Sequence, residues 1–220
     1  MGMWLEESFP LIIFFLLGFY LVFRSRLFLR LNEDNYLRVW KELAEKVGLV
    51  YKTGSLLKRT QNEQPRVRGE FRDREVEITA YSNGVIGDWT LIVKFVVTID
   101  NPGTTRLPVG AFLIIQKDSI QPIPRIMSRF FYRERKDQSS DLRKKFQMRS
   151  IPANLGNHIF LLPYTEKLLS HSSALSLLID RHNLTYCLTG LSSSVDEMVQ
   201  ILEDLCELAS DFESFARNWL

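Results

Sequence analysis

Three patterns of apolar and polar positions divide the chain. The first is an unbroken run, Phe9–Phe23 (FPLIIFFLLGFYLVF), which carries no charge. At a helical rise its fifteen residues cover roughly 22 Å, short of a ~30 Å hydrocarbon core. Extending it to Leu29 gives 21 residues and roughly 31 Å, enough to span, with Arg24 and Arg26 near one end where long basic side chains reach the headgroups. The run predicts a transmembrane signal anchor over residues 1–31. A cleaved signal peptide fits less well, because the residues before the run are acidic (Glu6, Glu7) and Arg24-Ser25-Arg26 follows it.

The second pattern is alternation. Val76, Ile78 and Ala80 alternate with Glu75, Glu77 and Thr79, which predicts a strand with one wet face. Arg66–Phe71 is its hairpin partner across Arg72-Asp73-Arg74, and Leu49–Tyr51 is a short strand before them. Asn83 to Asp88 reads as a turn. Trp89–Ile99 (WTLIVKFVVTI) is nearly continuous and β-branched, as expected of a central strand. Further strands are predicted at Val109–Ile115, Phe146–Ile151, Ala174–Ile179 and Leu184–Leu188.

The third pattern has helical spacing. Tyr36, Leu37, Trp40, Leu43, Ala44 and Val47 form one stripe between Asn35 and Gly48. Tyr164–Ser170 reads as a short helix. Val195, Met198, Leu202, Leu205, Ala209, Phe212, Ala216 and Trp219 step by three and four through a long C-terminal helix opened by a Ser194/Glu197 capping box. Ile201, Leu208 and Phe215 widen that stripe. A wide stripe suits a helix lying on a sheet better than a coiled-coil seam. The predicted fold class is α+β: an N-terminal transmembrane helix, then a mainly antiparallel sheet packed by an N-terminal helix and a long C-terminal helix. Residues 32–220 make one domain, with a basic insertion at 119–145 expected as a loop with an embedded short helix.

Charge sharpens the picture. The net charge of +2 conceals an uneven split. Residues 35–149 hold 22 basic and 13 acidic residues, whereas 150–220 hold 3 basic and 9 acidic. Such a split implies an electrostatic face or a pairing of the two halves. Arg24, Arg26, Arg30 and Arg38 follow the apolar run and no basic residue precedes it, so the N-terminus is expected outside and the domain in the cytoplasm. Two isolated cysteines, Cys187 and Cys206, suit a reducing compartment.

The spacing Trp40-x-x-Leu43-Ala44, then Gly48-Leu49, Pro65-x-Val67-x-Gly69-x-Phe71-x-x-Arg74-x-Val76 and Phe146-x-Met148-x-Ser150-x-Pro152 resembles a rhythm of uncharacterised, membrane-anchored bacterial domains, known mostly as domains of unknown function. The resemblance implies a bacterial inner-membrane setting and brings no catalytic residue with it.

Catalytic motifs are missing. His158, His171 and His182 have no partner at metal-ligand spacing and read as exposed turn residues. No GxSxG elbow, P-loop or GxGxxG is present. Glu75 and Glu77 read as a solvated strand face. A Ser–His–acid set assembled across distance stays open, because triads are recognised by geometry and not by sequence position.

The remaining constellation is the segment from Arg125 to Arg149. Its basic members are Arg125, Arg129, Arg133, Arg135, Lys136, Arg143, Lys144, Lys145 and Arg149, interleaved with Phe130, Phe131, Tyr132 and Phe146. Glu134, Asp137 and Asp141 bring the net charge to +6. Basic residues with aromatics suit anionic lipid headgroups, and the tether favours a bilayer over nucleic acid. A loop that balances the acidic C-terminal helix would have the same composition. The reading is a membrane-anchored, non-catalytic binding or scaffold domain whose partners are the lipid bilayer, anionic headgroups or an acidic protein, with no cofactor or metal. The alternatives are a tethered enzyme with an unrecognised site and an accessory subunit of a membrane complex.

Overall fold

The domain opens with helix α1 (residues 35–47), which buries Val39, Trp40, Leu43 and Ala44. It stops at Gly48, whose φ of 73° is left-handed, and the Leu49 N–H reaches back to the Ala44 carbonyl at 2.8 Å. That closure satisfies a terminal carbonyl that helix geometry leaves orphaned, and glycine takes the conformation without strain. The computed structural model describes residues 13, 16–20, 35–56, 63–85, 88–99, 112–116, 132–133, 145–150, 158–159, 161–180, 182–190 and 194–218.

The strands are β1 (Val50–Lys52), β2 (Arg66–Phe71), β3 (Arg74–Val85), β4 (Asp88–Thr98), β5 (Phe112–Gln116), β6 (Tyr132–Arg133), β7 (Phe146–Ser150), β8 (Ala174–Ile179) and β9 (Asn183–Thr189). Among the described residues these form one sheet in the order β1-β2-β3-β4-β9-β8-β5-β7-β6, and every pairing is antiparallel. The predicted antiparallel α+β class is therefore the observed one.

The β2–β3 hairpin turns on Arg72 and Asp73, both left-handed at φ 52° and 60°, between the register partners Phe71 and Arg74. A two-residue loop of this type matches the twist of the flanking strands. The next hairpin is longer than its sequence implies. The turn expected over Asn83–Asp88 is instead ladder, with Asn83 opposite Thr90 and Gly84 opposite Trp89, leaving only residues 86–87 between the strands. Continued pairing gives the backbone groups that face across this hairpin partners in the ladder.

Helices α2 (Pro163–Ser170) and α3 (Val195–Asn218) share the α1 face of the sheet. Their buried residues join one core with Val67, Val76, Ile78, Val93, Phe95, Val97, Leu177, Leu184, Tyr186 and Leu188. Leu202, Leu205 and Phe212 of α3 all lie in this core, so the stripe packs on the sheet as its width implied. Tyr186 spans the layers: its hydroxyl donates to the Leu168 carbonyl at 2.6 Å, and burial pushes the phenol pKa far above its ordinary value. The opposite parity of the central strands builds a second buried cluster from Ile92, Leu175 and Cys187, with Tyr81 packed on it. Strand parity explains the separation, since neighbouring residues point to opposite faces.

The anchor predicted over Phe9–Leu29 lies mostly outside the described residues. Residues 13 and 16–20 are helical, and Ile13, Leu16, Leu17, Phe19 and Tyr20 are exposed. Among the described residues no helix is long and apolar enough to cross a membrane.

Candidate functional site

Most of the predicted basic site lies outside the described residues: Arg125, Arg129, Phe130, Phe131, Arg135, Lys136, Arg143 and Lys144. Of the insertion's described residues, Tyr132 and Arg133 are strand and Lys145 is helical; the loop and short helix expected over 119–145 otherwise lie outside the described residues. Tyr132 and Arg133 form β6 at the edge of the sheet, paired with Ser150 and Arg149 of β7. A row of register partners runs Arg133, Arg149, Leu113, Leu178, so two basic residues stand side by side at this edge. Pairing between positions far apart in sequence leaves no local signature, and a two-residue strand has no period to read.

Phe146 requires a correction. Sequence reading counted it among aromatics available to a bilayer, but it is buried in the main core. Lys145 lies over its ring, with Nζ 5.3 Å from the centroid. An ammonium at that distance over a ring makes a favourable contact with the π face.

The acidic helix α3 obtains cationic partners from other parts of the fold. Arg72 bridges Glu207 at 2.7 Å and Glu203 at 2.9 Å, and Arg74 holds Glu213 at 2.6 Å. Lys167 of α2 meets Asp204 at 2.7 Å, and Lys46 of α1 meets Asp196. Four of these five pairs are largely exposed on at least one side and contribute little each. The Arg74–Glu213 pair is enclosed on both sides. Four of the five pairs join the two halves, through Lys46 of α1 and Arg72 and Arg74 of the β2–β3 hairpin, whereas Lys167 of α2 belongs to the acidic half itself. Asp211, on the same helix, has its carboxyl pushed up by burial and by neighbouring Glu207.

The histidines divide differently from the sequence reading. His182 is exposed in the β8–β9 turn, and exposed His158 stacks near Phe215 at 5.4 Å. His171 is not a free turn residue. Its Nε2 lies 2.6 Å from Glu197 Oε1 and its Nδ1 lies 2.8 Å from Ser173 Oγ. It occupies the C-cap of α2, while Glu197 sits in the first turn of α3 with its N–H on Ser194 Oγ at 3.3 Å. The capping box was legible as a helix start, but its glutamate's second role was not, because His171 is 26 residues away in sequence.

Glu75 and Glu77, read as a solvated strand face, are ion-paired across strands: Glu75 with Arg68 at 3.7 Å and Glu77 with Arg66 at 3.5 Å. That fits the solvated-face reading. Among the described residues no group of three or more His, Cys, Asp or Glu side chains could hold a metal ion. Cys187 and Cys206 are free and buried, and burial pushes both thiols up, Cys206 to about 11.

No family model and no curated protein matches the chain. Among solved structures, it is similar to the crystal structure of the mycobacterial trehalose monomycolate transport factor A, TtfA, with 11% identity over 83% of this chain and 94% of that one, at a TM-score of 0.44. A likeness at that level bears on neither activity nor partner.

Proposed function

We propose that the chain is a single-span membrane protein, N-terminus out, whose cytoplasmic α+β domain binds at the inner leaflet and does not catalyse. The observation that carries this reading is the exposure of Leu16, Leu17, Phe19 and Tyr20 on a helical segment, between 58% and 72%. The surrounding run from Phe9 to Phe23 has no charged residue to form a polar face. A helix that is apolar around its circumference needs a hydrocarbon environment or a buried one.

The basic segment is the proposed contact with anionic headgroups or an acidic protein. Support comes from α3, where Asp196, Glu203, Asp204, Glu207 and Glu213 already have cations from α1, α2 and the β2–β3 hairpin, so charge balance of that helix is no sufficient reason for nine basic residues between Arg125 and Arg149. The bacterial inner-membrane setting follows the resemblance described above.

Topology is the direct test. Alkaline phosphatase fused after Leu220 should be inactive, because that enzyme folds only where disulfides form. Strong activity would place the domain outside and end this reading.

A further inference from the structure

His171, Ser173 and Glu197 have no part in the proposed tether, yet their connectivity is chemically specific. The Ser173 backbone N–H also points at His171 Nδ1, at 3.4 Å. A backbone N–H only donates, so Nδ1 is the accepting nitrogen. Nε2 then carries the proton and gives it to the Glu197 carboxylate at 2.6 Å. The Ser173 hydroxyl, 2.8 Å from Nδ1, therefore donates to a bare imidazole nitrogen whose far side is oriented by an acid. This is the order of an activated hydroxyl, its base and the base's orienting group.

The set is held by three elements. The His171 backbone N–H bonds the Leu168 carbonyl at 3.3 Å at the end of α2. The Ser173 carbonyl accepts from the Thr189 N–H at 2.9 Å and the Thr189 hydroxyl at 3.3 Å. Glu197 is fixed in the first turn of α3. The side chains of His171 and Glu197 are 26% and 41% exposed, so the array reaches solvent.

We infer that Ser173 is an activated hydroxyl that accepts acyl groups from activated esters or thioesters, a covalent modification site and not a turnover centre. Nδ1 of His171 takes the hydroxyl proton as Oγ attacks the carbonyl carbon. The carbon–oxygen or carbon–sulfur bond to the leaving group then breaks, and the leaving alcohol or thiol departs with that proton. A serine ester remains. Fast turnover would need donors for the developing oxyanion. The two nearest amides are engaged, Ser173 N–H on Nδ1 and Ala174 N–H on the His171 carbonyl at 3.0 Å.

The full chain in detergent micelles, incubated with p-nitrophenyl acetate, tests this by site-resolved mass spectrometry. Exposed Ser172 next door is the internal control. Base assistance contributes typically ~10²–10⁴-fold, so Ser173 should acetylate at least about a hundredfold faster than Ser172. His171→Gln should bring Ser173 down to the Ser172 rate. Glu197→Gln, which keeps the shape and a hydrogen-bond acceptor, should give an intermediate rate with an unchanged melting temperature. Equal acetylation of Ser172 and Ser173 in the folded wild-type chain would overturn the inference and leave the array a turn contact. Even if His171→Gln fails to fold, that comparison alone decides the matter.

Discussion

Arg74 grips Glu213 with both arms of its guanidinium, Nη1 to Oε1 at 2.6 Å and Nη2 to Oε2 at 2.9 Å. The side chains are 13% and 7% exposed. The same arginine donates to the Thr98 carbonyl at 3.2 Å and to Ser210 Oγ at 3.1 Å. It therefore ties the start of β3, the end of β4 and the second half of α3 to one another. A planar fork suits this task in a way an ammonium does not.

Removing only the cation should be costly. Arg74→Ala leaves the Glu213 carboxylate enclosed without its fork, and breaking a buried pair typically costs ~3–5 kcal/mol. Arg74→Met combined with Glu213→Leu should recover most of that loss, since an apolar replacement avoids the unpaired charge. Urea unfolding of the two variants checks this. Equal losses in both would assign the stability to shape and not to charge.

Thr165 gives the opposite expectation. It is completely buried on the inner side of α2, and its hydroxyl has no hydrogen-bond partner among the described residues. An enclosed, unsatisfied hydroxyl costs ~1–3 kcal/mol. Thr165→Val keeps the branched shape and removes the penalty, so it should raise the urea midpoint. A lowered midpoint would mean the hydroxyl bonds a partner in solution.

Alkaline pH should weaken the domain. Burial raises the Cys206 thiol from 9.0 to about 11, with burial of Cys187 acting in the same direction. A folded-state pKa above the unfolded one favours the protonated, folded form below the unfolded value. That contribution is lost as pH climbs from about 9 through about 11. Stability measured across that window should fall, and Cys206→Ala should fall less steeply. Parallel slopes would remove Cys206 as a cause. Both thiols should also resist alkylation in the native state at pH 8.

The legible parts of the fold were those with a short-range period. Val76, Ile78 and Ala80 announced the inner face of β3 by alternation, and the α3 stripe announced its burial by spacing. Gly48 ended α1 where expected because a left-handed residue is a local requirement. Pairings between distant segments were not legible. Nothing in Leu184–Leu188 says that it lies between β4 and β8, and nothing in Tyr132-Arg133 says that it is strand. The candidate sites divide in the same way. A charged segment is visible as composition, whereas His171 needs the ends of α2 and α3 brought together before its base nitrogen meets Ser173. Only a folded chain supplies that proximity.

The basic segment yields the sharpest test of the proposed membrane role. Each basic side chain near an anionic leaflet contributes ~1 kcal/mol, screened within a Debye length of ~8–10 Å. Arg129, Arg133, Arg135 and Lys136 acting together would hold the segment on a bilayer at low salt, with Phe130 and Phe131 adding apolar insertion. A chain lacking residues 1–31 should therefore sediment with vesicles containing phosphatidylglycerol, release as salt rises, and ignore phosphatidylcholine vesicles. Replacing those four residues by glutamine should abolish sedimentation while leaving the melting temperature unchanged, because the α3 carboxylates draw on Arg72, Arg74, Lys46 and Lys167. A segment that serves only to balance α3 would behave otherwise. The shortened chain would stay in the supernatant at every salt concentration, and the same substitutions would lower the melting temperature. Retained sedimentation after the four substitutions would instead move the contact to another surface of the domain.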